Sequence, residues 1–139
     1  MKKNSLFISG LIALFLFVGC HPPDKKLTLG ADYYLTGNKE IPAGIKLVHG
    51  VNDNFEDIVL GEIVAYKTDT YFILIHRKVT DAARNIFEDN PLWKKQLKGN
   101  DQYWIIEKRF DGISGPMDYQ EYLLKRKQLQ VSDGVNLEN

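Results

Sequence analysis

The chain has 139 residues, of which 44% are hydrophobic, and its 18 Lys and Arg residues balance its 18 Asp and Glu residues. This length suits one domain with a single core, and the balanced charge argues against a nucleic-acid partner, which would need a strongly basic surface. Because the sequence has a single cysteine, Cys20, we expect no intramolecular disulfide and a fold stabilised by packing.

Residues 1–19 have the pattern of a signal peptide. Lys2 and Lys3 precede a largely apolar run of 13 residues, Leu6 to Val18. Since a helix needs about 20 apolar residues to cross a bilayer, this run is too short for a permanent transmembrane segment and suits a cleaved signal peptide. Its removal would leave 16 basic and 18 acidic residues, a net charge of −2.

The end of this segment, Phe17-Val18-Gly19-Cys20, resembles the lipobox of bacterial lipoproteins. The resemblance implies that the Cys20 sulfur is acylated with diacylglycerol, as palmitate labelling would detect, and that cleavage occurs before Cys20. Phe17 departs from the leucine usual in that family. In lipoproteins of double-membraned bacteria, an aspartate at the position of Pro22 can favour inner-membrane retention. Because this chain has proline there, we expect the outer membrane if the cell has one. The alternatives are a chance cysteine at the end of an ordinary signal peptide and a cysteine buried in a core.

The rest of the chain divides into a tether, one domain and a tail. Residues 20–28 are predicted to be a lipidated, polar tether, because Pro22 and Pro23 forbid continuation of a helix. Residues 29–130 are predicted to be a single α+β domain. Residues 131–139 have no hydrophobic period and are predicted to be a frayed tail.

A mainly antiparallel, twisted sheet of about five strands is predicted for the domain. The strand candidates are Ala31–Thr36, Ile45–Val48, Ile58–Lys67, Thr70–Val79 and a strand around Tyr103–Ile106. The third and fourth candidates are separated only by Thr68-Asp69, which predicts a hairpin. Tyr71–Ile75 and Tyr103–Ile106 are apolar on both alternating faces, so these strands should be central.

Local capping signals predict a broken helix and a C-terminal helix. Thr80 can cap a helix that ends at Phe87, and Asn90-Pro91 can start another that ends at Lys98. Asp118 and Glu121 have the spacing of a capping box, while Met117 and Tyr122 stand at the positions of a hydrophobic staple. Strands followed by a last helix favour the α+β class over a wound parallel fold.

The C-terminal segment YWIIEKRFDGISGPMDYQEYLLKRKQL resembles small uncharacterised lipoproteins of bacterial envelopes. That resemblance implies an envelope domain without an assigned activity and transfers no site residues. Lys125-Arg126-Lys127 in this segment is interpreted as the basic last turn of a helix, opposing the helix dipole, and not as a lipid or nucleic-acid patch.

Four candidate sites arise from residue type, and each has a simpler interpretation. Ser114 lies in a glycine turn but lacks the following glycine of a nucleophile elbow, since Pro116 holds that position. His49 and His76 lack zinc-ligand spacing and are interpreted as hydrogen-bonded boundary residues. The loop Asn52–Asp57 is oxygen-rich but fails the calcium-loop pattern, which favours a solvated turn. Trp93 is the aromatic residue most open to exposure, although core packing is favoured.

The sequence therefore predicts a lipid-anchored, non-enzymatic binding module of the cell envelope. We expect membrane attachment through Cys20, no cofactor, no metal site, no nucleic acid, and another protein or envelope component as the partner. The alternative hypothesis is a small envelope hydrolase or metal-dependent enzyme that uses His49, His76 and the Asn52–Asp57 loop.

Overall fold

The computed structural model describes residues 26–38 and 44–138. The predicted signal peptide, Cys20 and most of the predicted tether lie outside these residues. Within the described ranges the chain forms eight strands and three helices. They are β1 (Leu27–Gly30), β2 (Tyr33–Gly37), β3 (Ile45–Val51), β4 (Asn54–Val59), β5 (Ile63–Thr68), β6 (Phe72–Lys78), α1 (Asp81–Phe87), α2 (Pro91–Lys95), β7 (Asp101–Glu107), β8 (Gly112–Met117) and α3 (Tyr119–Gln128). None of these three helices has the length and apolar character needed to cross a membrane.

The strands form two four-stranded antiparallel sheets, each with its strands in sequence order. The first sheet contains β1 to β4 and the second contains β5 to β8. Buried side chains from both sheets form one cluster, so the two sheets pack face to face. The cluster consists of Leu29, Tyr33, Leu35, Leu47, Ile58, Val59, Ile63, Ile73, Ile75, Trp104 and Ile106.

Mainly antiparallel strands with a few helices are confirmed, but the prediction of about five strands in one sheet is wrong. The run Ile58 to Lys67, predicted as one strand, is divided between β4 and β5. Gly61 and Glu62, between the two strands, have φ angles of 137° and 57°. These angles lie outside the allowed β region, so the chain turns there from the first sheet to the second.

Strands β1 and β8 and the first part of β4 were not predicted from the sequence. Leu27 and Thr28, assigned to the tether, belong to β1, and Asn54 to Asp57, assigned to a solvated turn, belong to β4. The segment Gly112–Met117, predicted as a glycine turn before the last helix, forms the edge strand β8. The missed segments of β4 and β8 contain Asn, Asp, Gly or Pro residues, which have low strand propensity, and pairing with a neighbouring strand overrides that preference.

The two strands predicted to be central lie in the middle of the second sheet, as β6 and β7. Ile73 and Ile75 of β6 are fully buried between the sheets, whereas Leu74 is fully buried on the opposite face. The predicted hairpin is also confirmed, with Thr68 of β5 opposite Ile73. In its turn the Asp69 carboxylate accepts hydrogen bonds from the backbone N–H groups of Tyr71 and Phe72, both at 2.7 Å.

Helix α3 covers the outer face of the second sheet. The predicted capping box at Asp118 and Glu121 is present. Met117 and Tyr122, the predicted staple, pack in one cluster with Leu74 and Ile105 of the sheet. The second sheet is therefore covered on both faces, as the two-sided apolar patterns of β6 and β7 require.

The C-terminal tail is packed against this layer, so the prediction of a frayed tail is wrong. Val131 and Val135 are buried with Tyr122 in the cluster under α3. Arg126 donates to the backbone oxygens of Val135 at 2.8 Å and Ser132 at 3.3 Å. Arg126, which was predicted to oppose the helix dipole, thus also holds the tail. This contact could not be predicted from the sequence, because Arg126 binds backbone oxygens and the tail has no hydrophobic periodicity.

Helices α1 and α2 close one end of the two sheets. The predicted caps are present, since Thr80 accepts from the N–H of Ala83 and Asn90 accepts from the N–H groups of Leu92 and Trp93. Trp93 is fully buried in a third cluster, which confirms its predicted core packing. The other members of that cluster are Leu60, Val79, Ala83 and Phe87.

Candidate functional site

A cleft of about 320 Å³ lies on the outer face of the second sheet, next to the C-terminal tail. Strand β6 supplies His76, β7 supplies Tyr103 and the start of α3 supplies Tyr119. Leu137 and Glu138 of the tail complete the lining. The cleft exists because the tail folds back beside α3, which brings together residues separated by about half of the chain.

His76 is held in a fixed orientation at the wall of this cleft. Its Nε2 atom lies 2.8 Å from Oδ1 of Asp101, the first residue of β7. Its ring stacks on the ring of Tyr103, its register partner on β7, with 4.6 Å between centroids and 5° between planes. A hydrogen bond on one side and a stacked ring on the other leave the imidazole little rotational freedom.

Tyrosine rings continue the wall beyond His76. The Tyr103 ring is 5.3 Å from that of Tyr119 and 5.0 Å from that of Tyr122. Burial raises the pKa of Tyr103, and the carboxylates of Asp101 and Glu138 raise it further. The Tyr103 hydroxyl therefore stays protonated and can donate a hydrogen bond. Stacked faces combined with a few polar groups are typical of a binding cleft.

His49 lies in a different cluster, at the end of the core between the sheets. Its ring stacks on that of Tyr33 at 4.2 Å, and its Nε2 atom is 3.8 Å from Oδ1 of Asp111. Tyr33 is fully buried and its hydroxyl donates to the same oxygen at 3.4 Å. Burial, followed by the Asp111 carboxylate, raises the pKa of Tyr33 to about 12.

The raised pKa of Tyr33 predicts a loss of stability at high pH. An unfolded tyrosine titrates near 10.0 and Tyr33 in the fold near 12. The unfolded state therefore binds fewer protons between these values, and the stability contributed by the neutral hydroxyl is lost as the pH rises through them. We expect the urea midpoint to fall between about pH 10 and about pH 12, and to fall less in Tyr33→Phe. An equal fall in both proteins would contradict this assignment.

The residues of the predicted enzyme are not brought together. His49 pairs with Asp111 and His76 with Asp101, on different sheets. The Asn52–Asp57 segment forms an exposed turn and β4, where Asp57 pairs with Lys46 at 2.8 Å. In residues 26–38 and 44–138, no group of three His, Cys, Asp or Glu side chains is placed to hold a metal ion.

Ser114 and Cys20 are the two remaining positions that were singled out from the sequence. Ser114 lies within β8 opposite Ile105, so its predicted role in a turn is wrong. The extended pairing of β8 with β7 replaces the turn that the surrounding glycines suggested. Cys20, the predicted lipid attachment site, is outside the described residues.

A buried arginine next to His76 was also not predicted. Arg77 is fully buried, with its guanidinium 4.2 Å from the Trp93 ring. Its Nη1 atom donates to side-chain oxygens of Gln102 at 3.0 Å and Gln96 at 3.3 Å. Burial lowers the pKa of Arg77 to about 10, despite the opposing effect of Glu62. Because Arg77 contacts Trp93 and Gln96 near α2 and Gln102 of β7, it helps to hold α2 against the second sheet.

Residues 31–139 match the model of a family described as "Protein of unknown function (DUF3997)". The chain belongs to this family. No curated protein and no solved structure has detectable similarity to it. The DUF3997 match includes His76, Asp101, Tyr103 and the tail, and so covers the whole cleft. The match begins after Cys20, so the family assignment and the lipobox resemblance concern separate parts of the chain.

Proposed function

We propose that the protein is a lipid-anchored, non-enzymatic binding module of the cell envelope, with the cleft beside His76 as its binding site. The observation that carries the proposal is Gly19-Cys20 at the end of a 13-residue apolar run that follows two lysines. A diacylated cysteine provides the two chains that stable membrane attachment requires.

The position of β1 supports an anchor close to the domain. Lys26 is the first described residue, and β1 begins at Leu27. Six residues separate Cys20 from Leu27. Even fully extended, they span only about 20 Å, at roughly 3.5 Å for each residue. The domain would therefore stay at the membrane surface instead of exploring the compartment on a long linker.

The cleft supports binding as its task. His76 is oriented by Asp101 and stacks on Tyr103, and the tilted ring of Tyr119 lies 5.3 Å from that of Tyr103. These rings offer flat faces beside polar edges. Such amphipathic aromatic side chains dominate the binding energy of many recognition sites. A protein or envelope component with an exposed ring or planar polar group would fit this chemistry.

The alternative of an envelope hydrolase is favoured by one observation, the 2.8 Å contact between His76 and Asp101. A carboxylate that orients an imidazole is one part of a general-base arrangement. The residues lining the described cleft include no serine, threonine or cysteine that this imidazole could activate. We therefore place binding first.

Radioactive palmitate tests the proposal in cells. We expect the natural protein to be labelled and to sediment with membranes, and Cys20→Ser to be unlabelled and to keep residues 1–19. Equal labelling of the two proteins, or a soluble natural protein with its first 19 residues intact, would overturn the lipid anchor. Hydrolysis of a model ester that is lost in His76→Ala but kept in His49→Ala would overturn the non-enzymatic assignment.

A further inference from the structure

We propose that the outer face of the first sheet lies against the lipid bilayer, with Lys26, Tyr34 and Phe55 in contact with the lipid headgroups. These three residues are called the aromatic patch below. The inference rests on the proposed lipid anchor and adds which side of the domain faces the membrane.

Strand alternation places the aromatic patch on the face away from the core. Leu35 and Leu47 of β2 and β3 are buried between the sheets. Tyr34 precedes Leu35, and so its side chain is on the opposite face, where it lies beside its register partner Val48. Phe55 of β4 reaches the same face, since its ring is 5.7 Å from the Tyr34 ring in an edge contact.

Lys26 joins the patch to the tether. Its Nζ atom is 4.1 Å from the centroid of the Tyr34 ring and 3.8 Å from that of the Phe55 ring. Lys26 is also the last residue before β1, six positions after Cys20. The end of the predicted tether therefore lies directly on the aromatic patch, within about 20 Å of the acylated sulfur along the chain.

The chemistry of the patch matches a membrane interface. Aromatic side chains concentrate at the level of the headgroups, and lysine places its charge in water while its stem lies along apolar groups. On the same face the Asp57 carboxylate is paired with Lys46 at 2.8 Å. The ammonium group of Lys26 would be attracted to an anionic leaflet.

The bilayer is favoured over a protein partner because the anchor already holds it beside this face. A short tether keeps the effective concentration of lipid high at the residues next to it, so a weak patch suffices for contact. The outer face of the second sheet is covered by α3 and the tail. The assignment of this face to the bilayer therefore depends on the lipid anchor.

Tryptophan reporters can test this orientation because both natural tryptophans are buried, Trp93 at 0% and Trp104 at 3% exposure. The full-length lipidated protein would be reconstituted into vesicles of phosphatidylethanolamine and phosphatidylglycerol, with bromine on part of the acyl chains. We expect Tyr34→Trp to lose emission to the brominated lipid and to shift to the blue. The matched control Leu124→Trp, 71% exposed on α3, should show neither effect.

Each other result has a separate meaning. If Tyr34→Trp does not fold, Phe55→Trp provides the same measurement from the neighbouring strand. Equal emission of patch and control reporters in vesicle-bound protein would overturn the orientation and leave the anchor standing. A reporter shielded from acrylamide but not quenched by lipid would show that a second copy covers the patch, which also overturns it. Protein that fails to float with vesicles would instead contradict the proposed function.

Discussion

Replacement of Gly50 by alanine is expected to destabilise the domain by about 3 kcal/mol or more, because steric overlap and backbone strain add. Gly50 of β3 has a φ angle of 156° and pairs with Phe55 of β4. A methyl group there would overlap the carbonyl oxygen of Asn54 and lie 3.0 Å from Cα of Phe55. Both obstacles are backbone atoms of the partner strand, so they cannot move aside as a flexible side chain could.

Gly134→Ala provides the matched control. Gly134 does not need a positive φ, and the nearest atom to an added methyl group is Oγ of Ser132 at 3.6 Å. The free energy of unfolding of Gly134→Ala should differ from that of the natural protein by less than about 1 kcal/mol. Urea unfolding followed by circular dichroism compares the two variants. A Gly50→Ala midpoint equal to that of Gly134→Ala would show that β3 and β4 do not approach as described.

Trp93→Ala should cost about 3–5 kcal/mol, the range for removal of a large aromatic side chain from a core. Trp93 is fully buried, lies 5.0 Å from the Phe87 ring and carries the Arg77 guanidinium on its face. The variant would leave a cavity and remove the packing surface of a buried cation that makes no ion pair within the described part of the chain. We expect the third cluster to collapse and α2 to detach.

Trp93→Phe separates packing from hydrogen bonding at the same position. The indole N–H of Trp93 has no hydrogen-bond partner within the described part of the chain, so phenylalanine loses no bond. It keeps an aromatic face for Arg77, and its cost should be clearly smaller than that of alanine. Equal urea midpoints for the phenylalanine and alanine variants would contradict this assignment of stability to ring packing.

The elements that could be predicted from the sequence are those with a local physical signal. The two-sided apolar patterns of β6 and β7 identify central strands, and the caps at Thr80, Asn90 and Asp118 mark helix starts. The division of Ile58–Lys67 between two sheets had no such signal, because a continuous β-rich run conceals the turn at Gly61. Strand β8 was missed for the opposite reason, since glycine and proline residues in a paired edge strand resemble a turn.

The candidate cleft could not be predicted because no short segment contains it. His76 was noticed as a lone strand histidine, but its partner Asp101 is 25 residues away. Only the pairing of β6 with β7 brings Asp101 and Tyr103 beside it. The tail residues that complete the lining lie in a segment without hydrophobic periodicity, so their packing could not be predicted. The proposed lipid-attachment motif at Cys20 differs in kind, because such a motif is read along the chain and needs no fold.

The two sheets present their outer surfaces in opposite directions, with their backbones about 10 Å apart. One surface holds the aromatic patch, and the other holds α3 and the cleft beside His76. A domain resting on lipid through its first sheet would therefore hold its captured partner a full domain thickness above the headgroups, open to large molecules approaching from the aqueous side.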